Sequence, residues 1–414
     1  MGEPKLRDDR DLVWPTEGLR RVPYAVYDRA DLFAEERARI FRGPVWNFLC
    51  LAIELPNPGD YRATFVGDVP VVVARDRAGE IHAFENRCLH RGAALCLRPG
   101  NGKELRCVYH NWTYDLAGRL TGVAFQRGVN GAGGMPADFK LADHRLRPLR
   151  VEIFAGLVFG TFSDATPPVE LYLGPEIASR IHRVLAKPIR LMGGVSQYLH
   201  SNWKVYADNL RDSYHASLLH LFFTTFRLNR LSQRGGIIVS ASGGNHVSYS
   251  KMLSDRPNAD YDAAPIRANE EEFALRDPTL LQGRDEFGDG ITLQILTVFP
   301  GFVLHQIQNS LAVRQILPKA VGETELNWTY FGFEDDDAEM ETIRRKQTNL
   351  VGPAGYVSME DGAVVGFVQR GLPGADGDAS IVEMGGAGTA SQDTRVTEAA
   401  VRGFWRVYRD RMGL

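Results

Sequence analysis

The run Asn202-Trp203-Lys204-Val205-Tyr206-Ala207-Asp208-Asn209-Leu210-Arg211-Asp212-Ser213-Tyr214-His215-Ala216-Ser217-Leu218-Leu219-His220 sets two histidines, two aspartates, two asparagines and two tyrosines among apolar and aromatic neighbours. Polar groups drawn into such surroundings need partners, and a metal suits neutral imidazole and carboxylate together. Two histidines and one carboxylate on one face of a metal, with positions left open, is the donor set of non-haem iron enzymes that activate oxygen. His215 and His220 supply the imidazoles. Five residues apart, they would point about 140° from each other on a regular helix, so a break or wide turn is expected between Ala216 and His220. Asp212, three before His215, is by spacing a candidate third ligand.

A second constellation lies upstream: Arg87-Cys88-Leu89-His90-Arg91-Gly92, then Cys107-Val108-Tyr109-His110-Asn111-Trp112. Zinc fingers pair Cys with Cys and His with His, and these mixed pairs fit that pattern poorly. Cys-x-His followed by Cys-x-x-His resembles the Rieske [2Fe–2S] proteins, in which two thiolates hold one iron and two imidazoles the other. The resemblance implies Cys88, His90, Cys107 and His110 as cluster ligands in two tight loops of a small β domain. Cys50 and Cys96 have no such pattern and read as buried thiols.

With both constellations in view, Asn202-Trp203-Lys204 through Asp212-Ser213-Tyr214-His215 and His220 resembles the iron motif of Rieske ring-hydroxylating oxygenase α subunits. That resemblance places the third ligand elsewhere, at Asp361 in Ser358-Met359-Glu360-Asp361-Gly362, with Glu360 next in line. By itself Asp361 reads as a charge favoured at a helix N-terminus. The resemblance further implies catalytic roles for Asp212 and Asn209, with Asp212 bridging to His110 across a subunit boundary in a ring-shaped trimer. It spans essentially the whole chain. Gly352-Pro353-Ala354-Gly355, Phe367-Val368-Gln369-Arg370-Gly371 and Val401-Arg402-Gly403-Phe404-Trp405 look most like α subunits acting on benzoate-type acids, terephthalate dioxygenases first, then salicylate 5-hydroxylases and anthranilate dioxygenases.

The activity implied by this resemblance is that of an oxygenase component that takes O2 and electrons derived from NAD(P)H to cis-dihydroxylate an aromatic carboxylate, terephthalate foremost. The alternative is single hydroxylation of salicylate or a related benzoate. The implied cofactors are a [2Fe–2S] cluster and mononuclear Fe(II). The chain has no Gly-rich nucleotide loop at a strand-to-helix turn, so the reductase, with or without a ferredoxin, is expected to be a separate polypeptide. A small β subunit, and a homotrimer or α3β3 assembly, are implied by the resemblance. An electron carrier would leave His215, His220 and Asp361 without a purpose.

An aromatic acid needs an apolar cavity and a cation. Leu218, Leu219, Phe222, Phe223, Phe226, Ile295, Val303 and Ile307 are the apolar candidates. Arg314, within the apolar run Leu311–Leu317, and Arg395, near the C-terminal helix, are the cationic ones, since a guanidinium can engage both carboxylate oxygens. Two arginines suit a para-dicarboxylate.

These groups need scaffolds, and the patterning supplies two. From Val45 to about Ser163, short β-branched and aromatic runs (Ala63–Val66, Val71–Ala74, His82–Phe84, Glu104–Tyr109, Val151–Phe159) alternate with Gly, Pro, Asn and Asp, as in a small all-β domain. Asp115–Leu120 reads as a hairpin turn with Gly118 at positive φ. Beyond Pro167 the helices expected are Pro175–Ala186, Trp203–Leu219, Asn269–Arg276, Ala338–Leu350, Glu360–Gln369 and Val396–Arg411. The strands expected are Gly236–Ser240, His246–Met252, Ile291–Phe299, Phe302–Gln308, Leu311–Leu317 and Glu325–Phe333, joined by turns such as Pro300-Gly301 and Gln308-Asn309. The fold class is α+β: an N-terminal segment over 1–40 with a helix at Asp31–Phe41, a Rieske domain over 41–165, and a helix-grip-like antiparallel catalytic domain over 166–414. The Gly-rich Gly371–Gly388 reads as a mobile loop. A net charge of −3 removes the warrant for nucleic acid, and no apolar run approaches the roughly 20 residues of a membrane span. No apolar signal core follows the N-terminal charges, so a cytoplasmic location is expected.

Overall fold

A computed structural model describes residues 12–226, 228, 231, 233–251, 275–375 and 377–414. The first β unit contains β2 (Asn47–Leu51), β3 (Asp60–Val66), β4 (Val69–Arg75), β5 (Ile81–Glu85), β6 (Gly100–Asn101), β7 (Glu104–Arg106), β8 (Thr113–Asp115), β9 (Leu120–Gly122), β10 (Pro148–Phe154) and β11 (Leu157–Thr161). They form a seven-stranded sheet in the order β2-β11-β10-β5-β4-β3-β6 and a three-stranded sheet β7-β8-β9. Gly118, at φ 81°, makes the expected turn between β8 and β9. The run Val151–Phe159 is not one strand: it breaks at Ala155-Gly156, both at positive φ, into the hairpin β10–β11.

The second unit is a seven-stranded antiparallel sheet. Its order is β12-β18-β17-β16-β15-β14-β13, built from β12 (Ile189–Leu199), β13 (Gly235–Val239), β14 (His246–Lys251), β15 (Ile291–Val298), β16 (Phe302–Ile307), β17 (Ser310–Ala320) and β18 (Glu323–Phe333). Every strand expected here is present. The edge strand β12 escaped the pattern because Gly193 and Gly194 interrupt it and most of its residues face water. The helix expected over Asn269–Arg276 lies, but for its last two residues, outside the described residues.

Both faces of this sheet are covered, and β17 is buried from Ser310 through Pro318, which is why it reads as a nearly unbroken apolar run. Gln315 and Arg314, polar neighbours within this run, serve opposite faces. On one side Gln315 Nε2 donates to Phe48 O (2.8 Å), Thr64 Oγ1 (3.0 Å) and Phe65 O (3.2 Å) in the first unit. Around it Phe302 packs on Phe48 and Phe159 at ring separations of 4.7 and 5.6 Å. Helices α3 (Val169–Leu173) and α4 (Pro175–Val184) complete that core. Arg314 points to the other side, where the register puts Ile295, His305, Ala312 and Tyr330 in one row and Thr297, Val303, Arg314 and Trp328 in the next.

The helices that carry the chemistry lie on that second face: α5 (Trp203–Arg211), α6 (Ala216–Leu219), α7 (Leu221–Thr225), α8 (Ala338–Val351), α9 (Ser358–Gly371) and α10 (Ala399–Met412). Near the N-terminus, α1 (Ala25–Asp28) is followed by α2 (Ala30–Glu36), which widens into a π turn at Arg37–Phe41 and packs on α5 and α10. Lys204 of α5 is fully buried against Glu36, which also accepts from Trp203 Nε1 (2.7 Å) and Tyr408 OH (2.6 Å). Strand β1 (Arg21–Pro23) pairs with β19 (Ala379–Ile381), so part of Gly371–Gly388 is a strand rather than a mobile loop. Among the described residues no helix is long and apolar enough to cross a membrane.

Tyr27 OH donates to Asp208 Oδ2 at 2.5 Å. Burial pushes the Asp208 carboxyl up to about 7, against the opposing effects of Tyr27 and Arg211. The unfolded value is about 3.9, so between pH of about 4 and 7 the native chain holds a proton that the unfolded chain releases. Stability therefore falls as pH rises through that window, by roughly 4 kcal/mol at most, and the loss is complete above it. Asp208→Asn is expected to flatten this dependence, giving a variant whose urea midpoints at pH 5 and pH 8 differ less than those of the parent; an unchanged difference would assign the slope to another group.

Candidate metal centres and cavity

Cys88 and Cys107 begin two loops of the same design. In each, the cysteine carbonyl accepts from the N–H four residues on (Gly92, 2.8 Å; Asn111, 2.9 Å), and the cysteine N–H donates to the carbonyl five residues on (Ala93, 2.8 Å; Trp112, 2.8 Å). The fourth-residue position needs positive φ, which Gly92 (74°) and Asn111 (54°) provide. The strand expected over Glu104–Tyr109 therefore stops at Arg106. Both thiols are buried at 2% exposure. His90 and His110 lie 4.4 Å apart between ring centres, and His90 stacks on Trp112. His110 Nδ1 is enclosed and has no hydrogen-bond partner among the described residues. Two buried thiols and two adjoining imidazoles, one with an unsatisfied nitrogen, fit a mixed-ligand iron–sulfur cluster. Cys50 and Cys96 are buried thiols, as expected, Cys96 in the same core as Cys88 and Cys107.

Tyr114, which the motif did not reveal, is tied to this site. Its oxygen accepts from Leu89 N (3.0 Å), leaving the hydroxyl hydrogen for Cys88 Sγ at 3.4 Å. Such a bond stabilises electron density on sulfur and so favours the reduced cluster. Tyr114→Phe is expected to lower the cluster potential by tens of millivolts, equivalent to about 1 kcal/mol on a one-electron couple, and redox titration followed by the cluster's absorbance measures it.

The second centre begins with α5, capped where Asn202 Oδ1 accepts from Lys204 N at 3.1 Å. At Asp212 the chain leaves the helix (ψ 96°), and Asp212 Oδ1 accepts from Tyr214 N (2.8 Å) and His215 N (3.3 Å) to start the next turn. That turn, α6, runs from His215 to a second break at His220 (φ −82°, ψ 75°). The expected break between Ala216 and His220 is thus displaced: Ala216–Leu219 is helical, and the chain departs from helix at Asp212–Tyr214 and at His220 itself. Sequence spacing could not locate it because the turn before α6 is held by the Asp212 side chain through Tyr214 N and His215 N.

Asp361 enters from the first turn of α9. Its Oδ1 lies 3.4 Å from His215 Nε2 and 3.4 Å from His220 Nε2, and the ligand atoms of the three residues all fall within 4.8 Å of one another. Donors each about 2.1 Å from one ion, at angles near 100°, stand about 3.2 Å apart, so the set fits a single cation. Asn209 Nδ2 donates to Asp361 Oδ1 at 3.2 Å. Burial alone would push the His215 imidazole down, but the Asp212 and Asp361 carboxylates outweigh it and hold it at about 10. Burial would raise the Asp361 carboxyl, yet the adjoining imidazoles hold it at about 2. A field that favours an imidazolium also favours a bound dication. Asp212 faces His215 Nδ1 at 3.3 Å, on the side away from this set, and Glu360 contacts His220 Nδ1 rather than joining the three donors.

A cavity opens beside the triad, lined by Asn209, Asp212, Phe223, Leu293, Ile295, Ile307, Arg314 and Arg395 among others. Arg314 is 2% exposed, lies 3.9 Å over the Trp328 ring, and donates to Tyr206 OH (2.9 Å) and His305 Nδ1 (2.7 and 3.2 Å). No carboxylate among the described residues pairs with it. Three of its five N–H groups are used, leaving one on each terminal nitrogen. Arg395 is buried, and its carbonyl accepts from Ser213 Oγ at 2.6 Å, joining the chain before α10 to the α5–α6 break.

The structure places the expected apolar residues unevenly. Ile295, Ile307 and Phe223 line the cavity; Leu218, Leu219, Phe222, Phe226 and Val303 do not. Leu218 sits about 200° around its helical turn from Ala216, which does line it. Phe222 turns aside to stack on Tyr356 at 5.5 Å. His305, Tyr206 and Trp328 were not singled out from the sequence; strand register brings His305 and Trp328 to Arg314, and the packing of α5 on the sheet brings Tyr206.

A Rieske [2Fe-2S] domain model matches residues 45–131, and a model of the ring hydroxylating alpha subunit catalytic domain matches 179–414. The chain is 56% identical over 403 residues to terephthalate 1,2-dioxygenase, terminal oxygenase component subunit alpha 2, of a Comamonas species (97% of this chain, 98% of the relative). It is 45% identical over 412 residues to the anthranilate 1,2-dioxygenase large subunit of Burkholderia cepacia (98% and 97%). With the salicylate 5-hydroxylase large oxygenase component of a Ralstonia species it shares 37% over 414 residues (98% and 97%). Its fold matches naphthalene 1,2-dioxygenase from a Rhodococcus species with a TM-score of 0.79 at 24% identity, covering 95% of this chain and 94% of that one.

Proposed function

Because the chain belongs to the ring-hydroxylating oxygenase α subunits with a Rieske [2Fe–2S] domain, we propose that it dihydroxylates an aromatic carboxylate, terephthalate in particular, and that Cys88, His90, Cys107 and His110 hold the cluster while His215, His220 and Asp361 hold the iron. Electrons come from NAD(P)H through a reductase. When bound, the cluster supplies electrons one at a time and the iron supplies the activation of O2.

The observation that carries the substrate reading is Arg314. A guanidinium buried without a carboxylate partner is costly unless an anion meets it, and its two remaining N–H groups suit one carboxylate's pair of oxygens. Arg395 lines the same cavity, so the two cations can take the two ends of a para-dicarboxylate. Ile295, Ile307, Phe223 and Leu293 supply the apolar walls that hold the ring and exclude water. Asn209 fixes the Asp361 carboxylate, and Asp212 holds His215. A homotrimer or α3β3 assembly, with Asp212 reaching His110 of a neighbouring copy, and a reductase working with or without a ferredoxin complete the proposal.

The test is a single turnover: the chemically reduced protein is given O2 with terephthalate, salicylate, anthranilate or benzoate, and products are weighed by mass spectrometry. A dihydroxylated, non-aromatic product from terephthalate alone is expected. A singly hydroxylated product from salicylate would replace this reading with monooxygenation.

A further inference from the structure

Each imidazole of the triad has a carboxylate behind it. Asp212 Oδ2 stands 3.3 Å from His215 Nδ1, and Glu360 Oε2 stands 2.8 Å from His220 Nδ1, the shorter contact made to the more buried ring. Glu360 and Asp361 are neighbours in the first turn of α9, about 100° apart around its axis. They therefore meet the same His220 ring from opposite edges: Asp361 faces Nε2 at 3.4 Å, Glu360 faces Nδ1.

An ionised carboxylate can only accept, so the contact makes Nδ1 the protonated nitrogen and leaves the Nε2 lone pair directed into the triad. Asp212 Oδ1 accepts from two backbone N–H groups, and Oδ2 approaches His215 Nδ1 without a hydrogen bond to it. Glu360 makes no second hydrogen bond among the described residues, so its whole charge bears on His220.

We propose that Glu360 is a positioning residue, holding the tautomer and ring plane of His220 and thereby setting how firmly the centre retains iron. It is not itself a ligand. The proposal rests on the iron reading of His215, His220 and Asp361.

The test compares Glu360→Gln, Glu360→Leu and Asp361→Ala with the parent in the full chain under anaerobic conditions. Iron per chain is counted, the rate at which a chelator removes the mononuclear iron is followed, and the nitric oxide adduct of the Fe(II) form is recorded by electron paramagnetic resonance. Cluster absorbance reports that each variant is folded. Glu360→Leu is expected to take up iron to the parent's stoichiometry but release it about 10–100-fold faster, with an altered resonance. Glu360→Gln, which retains an acceptor without charge, should fall between, and Asp361→Ala should not load. Release rates and resonances equal to the parent's would overturn the proposal, as would a folded Glu360→Leu that cannot load iron at all, since that is the behaviour of a ligand. Asp361→Ala holding iron like the parent would instead overturn the iron reading beneath it.

Discussion

Arg314→Ala is expected to raise KM for terephthalate about 10²-fold while iron per chain stays at the parent's value. A charged hydrogen bond is worth about 1.5–3 kcal/mol, and the variant loses two from an enclosed site, about 3–6 kcal/mol together, so about a hundredfold change is the least anticipated and a thousandfold one is within range. Arg314 touches none of the triad; its partners are Tyr206, His305 and Trp328, so the metal should be indifferent. Arg314→Lys should recover little, because an ammonium cannot present two parallel N–H groups while also meeting Tyr206 and His305. Steady-state kinetics with iron analysis decides it: an unchanged KM would remove Arg314 from the substrate site.

Asp212→Ala is expected to leave cluster and iron loaded while slowing reoxidation of the reduced cluster by about 10²-fold, the upper end of what outer partners of metal ligands usually contribute. Asp212 is 27% exposed, so one carboxylate reaches both His215 and the surface, where a neighbouring copy can meet it. The side chain has a second task, accepting from Tyr214 N and His215 N in the turn before α6, and its loss costs about 1 kcal/mol of stability. Asp212→Asn separates the two: an asparagine oxygen accepts the same backbone bonds but carries no charge. Slow cluster reoxidation in a normally stable Asn variant, seen by stopped-flow absorbance, is the expected result; turnover at the parent's rate would remove the bridging role.

The donor groups could be read from the sequence because they are local. Cys88-x-His90 and Cys107-x-x-His110 each lie within one turn, and residue types suffice to state their chemistry. Asp361 could not be found by spacing, which pointed to Asp212; only the resemblance placed it, and the structure shows α9 carrying it to both histidines. Periodicity located most helices and strands, but failed where both faces of a strand are wet, as in β12, and where a two-residue turn carries no strong signal, as at Ala155-Gly156. The cavity was least legible. Leu218 and Phe222 were reasonable by composition, yet direction around a short helical turn decides such matters, and β register brought His305 and Trp328 to Arg314 from strands that sequence leaves unordered.

The amide of Gln315 and the rings of Phe48, Phe159 and Phe302 have a thermodynamic meaning beyond holding two sheets together. Melting either sheet alone would strip apolar cover from the other and strand the Gln315 amide without its three acceptors. Aromatic side chains lose about 1.5–3 kcal/mol each on returning to water, so a half-unfolded chain lies well above the native state. Cluster domain and catalytic domain, though separate in sequence and in chemistry, thus form one cooperative unit, and damage in one would be felt as lost stability in the other.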